Sequence, residues 1–425
     1  MTEAASPRIH TLANGVRVVC DPVAGFETLA LTVAVGRGAR SETSDQCGWA
    51  HLLEHMVFKG AGERSARDIV EAVESEGGHI NAATGHERTS FQVRALKGGL
   101  PLAMAVLSDL VQRPTLRPAD LAREKPVIAQ EIAEAADTPD DLVFEKAQAT
   151  AFTGQPLGRP ILGTRTSVGA ASAARLADFR ASLYAPDAIV ISAAGAVDED
   201  ELLALAERGF AGLSAANPPP PVTQGAFTGG FDRTSRALEQ AHLVLLLPAF
   251  GLRDPDYFAL RLFGEILGGG MSSRLFQEVR EHRGLAYAID AYVDAYSDTG
   301  VLGIYAGTAA TNAADAARVA AEQIRALITD VTDAEVRRAK AQLKASTFMA
   351  AESAMARAEQ AAGQLLIFGR LFSIADTAAA IDAVTSADVA RIGARLLETG
   401  RCAGAVLGAK RAMGAAEEFQ RALFG

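Results

Sequence analysis

The stretch GWAHLLEHMVFKG, residues 48–60, contains two histidines and a glutamate in the order His-x-x-Glu-His. Its apolar spacing predicts a helix from about Gln46 to Phe58, with Asp45 as the N-cap. At about 100° of rotation per residue, His51, Glu54 and His55 fall on one face of that helix. The opposite face is apolar and carries Trp49, Leu52, Leu53 and Met56. The pattern therefore predicts a helix that packs one face on a core and turns two imidazoles and a carboxylate away from it.

Two imidazoles one helical turn apart can bind the same metal ion, and the carboxylate of Glu54 between them can reach a water on that ion. A zinc site for hydrolysis needs three protein ligands and one open position, so a third ligand is expected from another element. A second predicted helix, Asp120–Ala135, carries Glu124 and Glu131 two turns apart, so that one face can hold both. The alternative is a solvated polar face on an amphipathic helix.

The two halves of the 425-residue chain show the same order of predicted elements: strands, a helix, further helix, a hairpin, long helical stretches and a late strand. This order predicts an α+β fold of two similar domains, each with a largely antiparallel sheet flanked by helices. The predicted elements are Val16–Cys20, Thr28–Val35, His79–Leu96 and Ala188–Gly195 in the first half, and Leu243–Leu247, Asp256–Leu267, Leu285–Gly307, Asp333–Phe368 and Ala403–Gly408 in the second.

A proline run, Asn217–Pro221, lies near the midpoint of the chain and cannot continue a helix or a central strand. We predict an N-terminal metal-binding domain over residues 1–213, a linker over 214–230 and a C-terminal domain over 231–425. In the second half, the helix that corresponds to the histidine helix reads DYFALRLFGEIL, residues 256–267. It contains no histidine, so no metal site is expected in the C-terminal domain.

The composition limits the classes of function. Lys and Arg number 41 against 51 Asp and Glu, a net charge of −10, which argues against a nucleic-acid-binding protein. No apolar run reaches about 18 residues, so no membrane span is expected. The three cysteines, Cys20, Cys47 and Cys402, lack the spacing of a metal site and predict reduced thiols. The first residues have no apolar core of a signal peptide, so a cytoplasmic location is expected.

Four stretches together resemble the pitrilysin/insulinase-like zinc metallopeptidases, the inverzincins, and within them the bacterial proteins similar to the mitochondrial processing peptidase. These stretches are GWAHLLEHMVFKG (48–60), GGHINAATGHERTSF (77–91), REKPVIAQEIAEAADTPDD (123–141) and GGGMSSRLFQEVREHRGLAY (268–287). The resemblance implies one Zn²⁺ per chain, bound by His51, His55 and Glu131. It also implies that Glu54 is the general base and that Glu124 supports the site.

One departure concerns Pro126, which lies between the two glutamates. A proline inside a helix removes a hydrogen bond, so a helix that begins near Pro126 would move Glu124 off the ligand face. Two other histidines, His79 and His86, fall in the predicted hairpin without helical pairing, and we expect them to have polar partners and to bind no metal.

The resemblance also implies a mode of substrate binding. Asn81 and Ala82 would lie on an edge strand to which an extended peptide adds by backbone hydrogen bonds. Arg280 and Tyr287, seven residues apart, match a pair that holds the substrate backbone and stabilises the tetrahedral intermediate. The implied activity is hydrolysis of peptides or unfolded segments inside an enclosed chamber.

Relatives of this length generally pair two chains, so that four similar domains form a clamshell. Because this chain carries both the metal residues and the Arg280–Tyr287 pair, we expect a homodimer, with a heterodimer with a related chain as the alternative. Two further alternatives are a non-catalytic scaffold or partner subunit, whose members typically lose the metal residues, and a zinc-binding module without hydrolysis, which does not explain Glu54.

Overall fold

Residues 7–214 and 222–425 are described in a computed structural model of the chain. They form two compact units, each assembled from three segments of sequence. The first unit contains Met1–Ile132, Pro160–Val222 and Phe348–Ser373, and the second contains Ala133–Arg159, Thr223–Thr347 and Ile374–Gly425. The predicted linker lies partly in residues 215–221, which are outside the described residues.

The described residues contain thirteen strands, which form one large sheet in each unit and a short two-stranded ribbon. They are β1 (Arg8–Thr11), β2 (Arg17–Pro22), β3 (Thr28–Val35), β4 (Gly60–Ala61), β5 (Arg64–Ser65), β6 (His79–Thr84), β7 (Thr89–Leu96), β8 (Ile189–Gly195), β9 (Gly230–Ser235), β10 (Gln240–Ala249), β11 (Ala286–Ala295), β12 (Gly300–Ala309) and β13 (Ala403–Gly408).

The same residues contain fifteen α-helices, and none of these is long and apolar enough to cross a membrane. They are α1 (Trp49–Val57), α2 (Ala66–Glu74), α3 (Leu100–Gln112), α4 (Pro118–Asp137), α5 (Pro139–Ala151), α6 (Arg165–Gly169), α7 (Ala173–Leu183), α8 (Glu199–Phe210), α9 (Tyr257–Gly268), α10 (Ala313–Asp330), α11 (Asp333–Ala351), α12 (Ala354–Phe368), α13 (Ile374–Ala383), α14 (Ser386–Leu397) and α15 (Ala415–Phe424).

In the first unit the strand order is β1-β2-β8-β3-β7-β6, and every neighbouring pair is antiparallel except β2 and β8. Alternate residues of β3, such as Leu31 and Val33, enter a core that also contains Trp49 and Leu52 of α1. Successive side chains of a strand point to opposite faces of the sheet, so alternate residues of β3 contact the same layer. The other face of the sheet is covered by α12, through residues such as Ala362.

In the second unit the order is β11-β12-β10-β13-β9, with β13 and β9 as the parallel pair. This is the order β6-β7-β3-β8-β2 of the first unit, to which β1 adds one further strand. The prediction of an α+β fold with two similar domains, each with a largely antiparallel sheet, is therefore confirmed.

Each half of the sequence contributes one helix to the unit formed mainly by the other half. Helix α5, from the first half, packs on β10 and β13 of the second unit, and α12, from the second half, packs on β3 and β8 of the first. The predicted single helical stretch Asp333–Phe368 is two helices, because Ser353 begins α12 by accepting a hydrogen bond from the N–H of Ala356 at 3.3 Å. The predicted domain boundaries at residues 213 and 231 stay a prediction, and they do not include this exchange.

The start of α1 corrects one prediction. Asp45 is not the N-cap, because the helix begins three residues later, after Gly48. Gly48 has a φ of 87°, and a side chain there would meet Gly163 at 2.6 Å, so only glycine fits this entry turn. The buried carboxylate of Glu42 accepts hydrogen bonds from the N–H groups of Gly48, at 2.9 Å, and Ala50, at 2.7 Å. Glu42 therefore satisfies free N–H groups at the start of α1 from a position six to eight residues earlier in the chain, outside the usual N-cap position.

Candidate metal centre

Helix α1 holds two imidazoles next to each other. Its apolar face is fully buried, which fixes the direction in which His51 and His55 point. The Nε2 atoms of the two rings are 3.2 Å apart, and each side chain is largely but not fully shielded from solvent. The predicted spacing of one helical turn thus brings two nitrogen ligands to one point.

Helix α4 brings a carboxylate to the same point. The Oε2 atom of Glu131 is 3.8 Å from Nε2 of His51 and 3.6 Å from Nε2 of His55. Ligands of a tetrahedral zinc ion at about 2.0–2.1 Å are about 3.3 Å apart, so these three atoms need only small movements to bind one ion. Among the described residues, His51, His55 and Glu131 form the one group with the geometry to hold a metal. His79 lies exposed on β6 and is not a member of it.

Glu124 contacts the ring of His55. Helix α4 begins at Pro118 and continues through Pro126, so the concern that a helix start near Pro126 would displace Glu124 is wrong. The helix persists because buried Leu121 and Ile128 anchor it on both sides of the proline. Oε1 of Glu124 accepts a hydrogen bond from Nδ1 of His55 at 2.9 Å, which leaves Nε2 of that ring as the metal-binding atom.

Lys59 is a further member of this cluster, and it was not predicted from the sequence. Its Nζ donates to Oε2 of Glu124 at 2.8 Å. Lys59 follows His55 by four residues and His51 by eight, so it continues the stripe of the two histidines beyond the end of α1. This spacing is visible in the sequence, but it indicates a role for Lys59 only once the fold shows that Glu124 lies opposite.

The electrostatics of the site favour uncharged imidazole and charged carboxylate. Burial, and then the neighbouring His55, lower the pKa of His51 to about 4, so its ring is neutral near pH 7. Burial alone would raise the pKa of Glu124, but hydrogen bonds from Lys59 and His55 outweigh it and hold that pKa below its ordinary value. Both groups are thus in the protonation state that metal binding requires.

Glu54 lies on the same face of α1 as the histidines and is partly buried. Its Oε2 atom is shielded from solvent and has no hydrogen-bond partner among the described residues, and neither has Nδ1 of His51. An unpartnered buried carboxylate oxygen is costly for folding alone, and such groups call for a functional explanation. Because Glu54 follows His51 by three residues on α1, and residues at that spacing are neighbours on a helix surface, it can accept a proton from a water held at the candidate ligands.

The two residues predicted to contact substrate in the first unit lie on an edge strand. β6 pairs with β7 on one side only, and no other described strand lies on its second side. Asn81 is exposed and Ala82 is buried, and α1 packs against this strand. The free backbone groups of β6 therefore offer an added peptide strand a place beside the histidine helix.

Arg280 and Tyr287 come together in the second unit. Arg280 lies in a π-helical turn, Phe276–Glu281, and its Cζ is 5.1 Å from the centre of the Tyr287 ring. Tyr287, near the start of edge strand β11, is 76% exposed, although tyrosines usually bury most of their ring. Both residues line a cleft of about 380 Å³, together with polar residues that include Gln240 and Asn312. The two side chains thus lie together in the second unit, while their role in binding substrate stays a prediction.

Comparison with known protein families shows the family to which the chain belongs. Residues 18–165 match the family described as "Insulinase (Peptidase family M16)", and residues 170–343 match "Peptidase M16 inactive domain". The chain belongs to the M16 peptidase family. An "Uncharacterized zinc protease" of Rickettsia bellii is 34% identical to this M16 chain over 92% of it and 95% of the relative. A protein of the same description from Bacillus subtilis is 33% identical over 85% and 88% of the two chains.

Solved structures agree on the fold of this M16 chain. A protease from Helicobacter pylori superposes with a TM-score of 0.87 at 20% identity, covering 95% of this chain and 99% of that one. A Pseudomonas fluorescens protein described as a peptidase M16 inactive domain gives a TM-score of 0.88 at 21% identity, covering 96% and 99%. The resemblance to the pitrilysin/insulinase-like peptidases is therefore confirmed at the level of family and fold.

Proposed function

We propose that this chain is a zinc-dependent endopeptidase with Glu54 as the general base. The observation that carries the proposal is the convergence of His51, His55 and Glu131 on one point, where the helix of the two histidines also carries Glu54 with an unpartnered carboxylate oxygen. The names of the relatives, which describe zinc proteases, favour zinc over other divalent ions. Two imidazoles and one carboxylate are also the ligand set of hydrolytic zinc sites with one open position.

The residues of the site have separate roles in peptide-bond hydrolysis. A bound zinc ion supplies Lewis acidity for the scissile carbonyl and makes water a stronger acid. Glu54 takes the proton of the attacking water and passes it to the leaving amine. Glu124 holds the His55 ring by its Nδ1 atom, so that the ring does not rotate during turnover.

The substrate is a peptide or an unfolded segment in extended form. It pairs by backbone hydrogen bonds with β6 at Asn81 and Ala82, so that it is recognised more by its extended shape than by its side chains. Arg280 and Tyr287 hold the substrate backbone and stabilise negative charge that develops on the carbonyl oxygen. The exposure of Tyr287 and the cleft beside it support a role in binding.

The active assembly in this proposal is a homodimer in the cytoplasm, in which four units enclose a chamber; a heterodimer with a related chain is the alternative. A non-catalytic scaffold is not favoured, because it has no use for Glu54 and Glu131 next to two histidines.

The test is digestion of a peptide library by the purified protein, read by mass spectrometry. We expect internal cleavage, which stops when a chelator removes the metal and returns with one equivalent of zinc. His51→Gln is expected to lose bound zinc and activity, while His10→Gln, at a histidine on the opposite edge strand β1 and outside the cluster, keeps both. Cleavage that persists in zinc-free protein, or zinc-loaded protein that cleaves no peptide, would overturn the proposal.

A further inference from the structure

We propose that Lys59 is a positioning residue of the metal site, which acts on His55 through Glu124 and raises the affinity for zinc. This inference rests on the proposed function for the identity of the ion. It adds to the cluster a residue that contacts neither of the two candidate histidine ligands directly. Lys59 holds the carboxylate of Glu124 in place, and that carboxylate in turn holds the ring of His55.

The geometry is a chain of three side chains. Nζ of Lys59 lies 2.8 Å from Oε2 of Glu124, and Oε1 of the same carboxylate lies 2.9 Å from Nδ1 of His55. A carboxylate that uses one oxygen for each neighbour is fixed in its plane as well as in its position. Because an ionised carboxylate only accepts hydrogen bonds, it requires the ring proton on Nδ1 and leaves the lone pair of Nε2 for the ion.

The hydrogen bond from Lys59 is important because the carboxylate of Glu124 is buried. The side chain of Glu124 is 6% exposed, so water is a poor substitute for a lost donor. Among the described residues, the hydrogen bonds of this carboxylate are those to Lys59 and His55. Without Lys59, Oε2 has no donor, the negative charge has no cation beside it, and a single hydrogen bond must hold both the carboxylate and the ring.

The position of Lys59 is itself well defined. Helix α1 ends at Val57, and the N–H of Lys59 donates to the carbonyl oxygen of Met56 at 3.1 Å, so its backbone is tied to the last turn. The negative end of the helix dipole lies there and favours a cation. The side chain is 36% exposed, so its ammonium group can still exchange with water while it bonds to Glu124.

The experiment measures the zinc dissociation constant of metal-free protein by competition with a chromophoric chelator. We expect Lys59→Met to weaken zinc binding by about 10- to 100-fold, the range found for residues that support metal ligands. Lys59→Arg, which keeps a cation and a donor, should restore most of the affinity. Lys97→Met, at an exposed lysine of the first unit, is the matched control and should change nothing. Circular dichroism of each metal-free variant checks the fold.

A double-mutant cycle with Glu124→Gln separates a positioning role from a general effect of charge. If Lys59 acts through Glu124, Lys59→Met weakens zinc binding in the wild type but adds little in the Glu124→Gln background. Equal losses in both backgrounds, or unchanged affinity in Lys59→Met, would overturn the inference. The readout needs no hydrolysis, so a protein that binds zinc with this pattern and cleaves no peptide refutes the proposed function alone.

Discussion

His51 and His55 are neighbours on one helix, yet the protein surrounds them differently. His55 donates to Glu124, whereas Nδ1 of His51 is buried without a partner among the described residues. The ring of His51 is thus kept neutral by burial and by His55 and not by a hydrogen bond. A neutral ring is ready to bind metal, but it also makes the metal-free protein sensitive to acid.

We expect the metal-free protein to lose stability as the pH falls from about 6.5 to about 4. The pKa of His51 is lowered from 6.5 to about 4 in the folded state, so between these values the unfolded chain binds the proton more strongly. The loss in the free energy of unfolding should approach about 3 kcal/mol. Urea unfolding followed by the fluorescence of Trp49, the single and fully buried tryptophan, measures it. His51→Gln should lack this part of the pH dependence, and an identical dependence in both proteins would contradict the assignment.

The residues of the site could be predicted from sequence to different extents. His51, Glu54 and His55 follow from helical spacing, and Glu131 follows from its family context. The roles of Lys59 and Glu42 do not follow from spacing alone. Lys59 bonds to Glu124, which is far away in sequence, and Glu42 bonds to the start of α1 only because the chain between them folds back. Only the fold shows which carboxylate faces which donor.

Among the elements, two central strands that are apolar along most of their length have their predicted bounds, while the bounds of some helices depend on tertiary contacts. β3 and β13 have their predicted bounds, Thr28–Val35 and Ala403–Gly408. In contrast, α4 runs through Pro126, and α1 begins later than predicted because of Gly48. A local rule about proline gives way where apolar packing on both sides holds the helix, and a local rule about the N-cap gives way where another carboxylate accepts hydrogen bonds from the first N–H groups.

Helix α12 is held on the sheet of the first unit by a buried ion pair. The guanidinium of Arg357 donates to both oxygens of Asp21 on β2, each at 2.7 Å, and the side chain of Asp21 is 3% exposed. Arg357→Met leaves that carboxylate buried and unpaired, which should lower the free energy of unfolding by about 3–5 kcal/mol. Urea unfolding followed by Trp49 fluorescence tests this.

Arg337→Met, at an exposed arginine of α11, is the control for that measurement and should be close to neutral. If Arg357→Met is also neutral, the ion pair does not hold α12 in place, and the apolar contacts of the helix are sufficient.

Across the whole chain, the second unit repeats the order of five strands of the first unit but does not repeat its candidate metal residues. The second unit repeats the sheet, and its α9 carries no histidine in place of the metal residues. The exchange of α5 and α12 between the units could not be read from sequence, because each helix has an apolar face that either sheet could cover. It also means that neither half of the chain contains all of the elements of one unit.

We expect the active form to be a dimer. Light scattering should give a mass of twice 44.3 kDa, and specific activity should fall when dilution separates the chains. The reason is that one chain supplies two of the four units that the proposed chamber needs. Full activity in a fraction whose mass is that of a single chain would contradict this assembly.

The most direct test of the proposed zinc-dependent hydrolysis is the behaviour of Glu54→Gln. Because Glu54 is outside the group of candidate ligands, this variant should still bind one zinc ion per chain. Because it cannot accept the proton of the attacking water, its turnover of a peptide substrate should fall by about 10²- to 10⁴-fold. Zinc content by atomic absorption and turnover on the same sample give both numbers. A variant that keeps its zinc and cleaves at the wild-type rate would show that Glu54 is not the base.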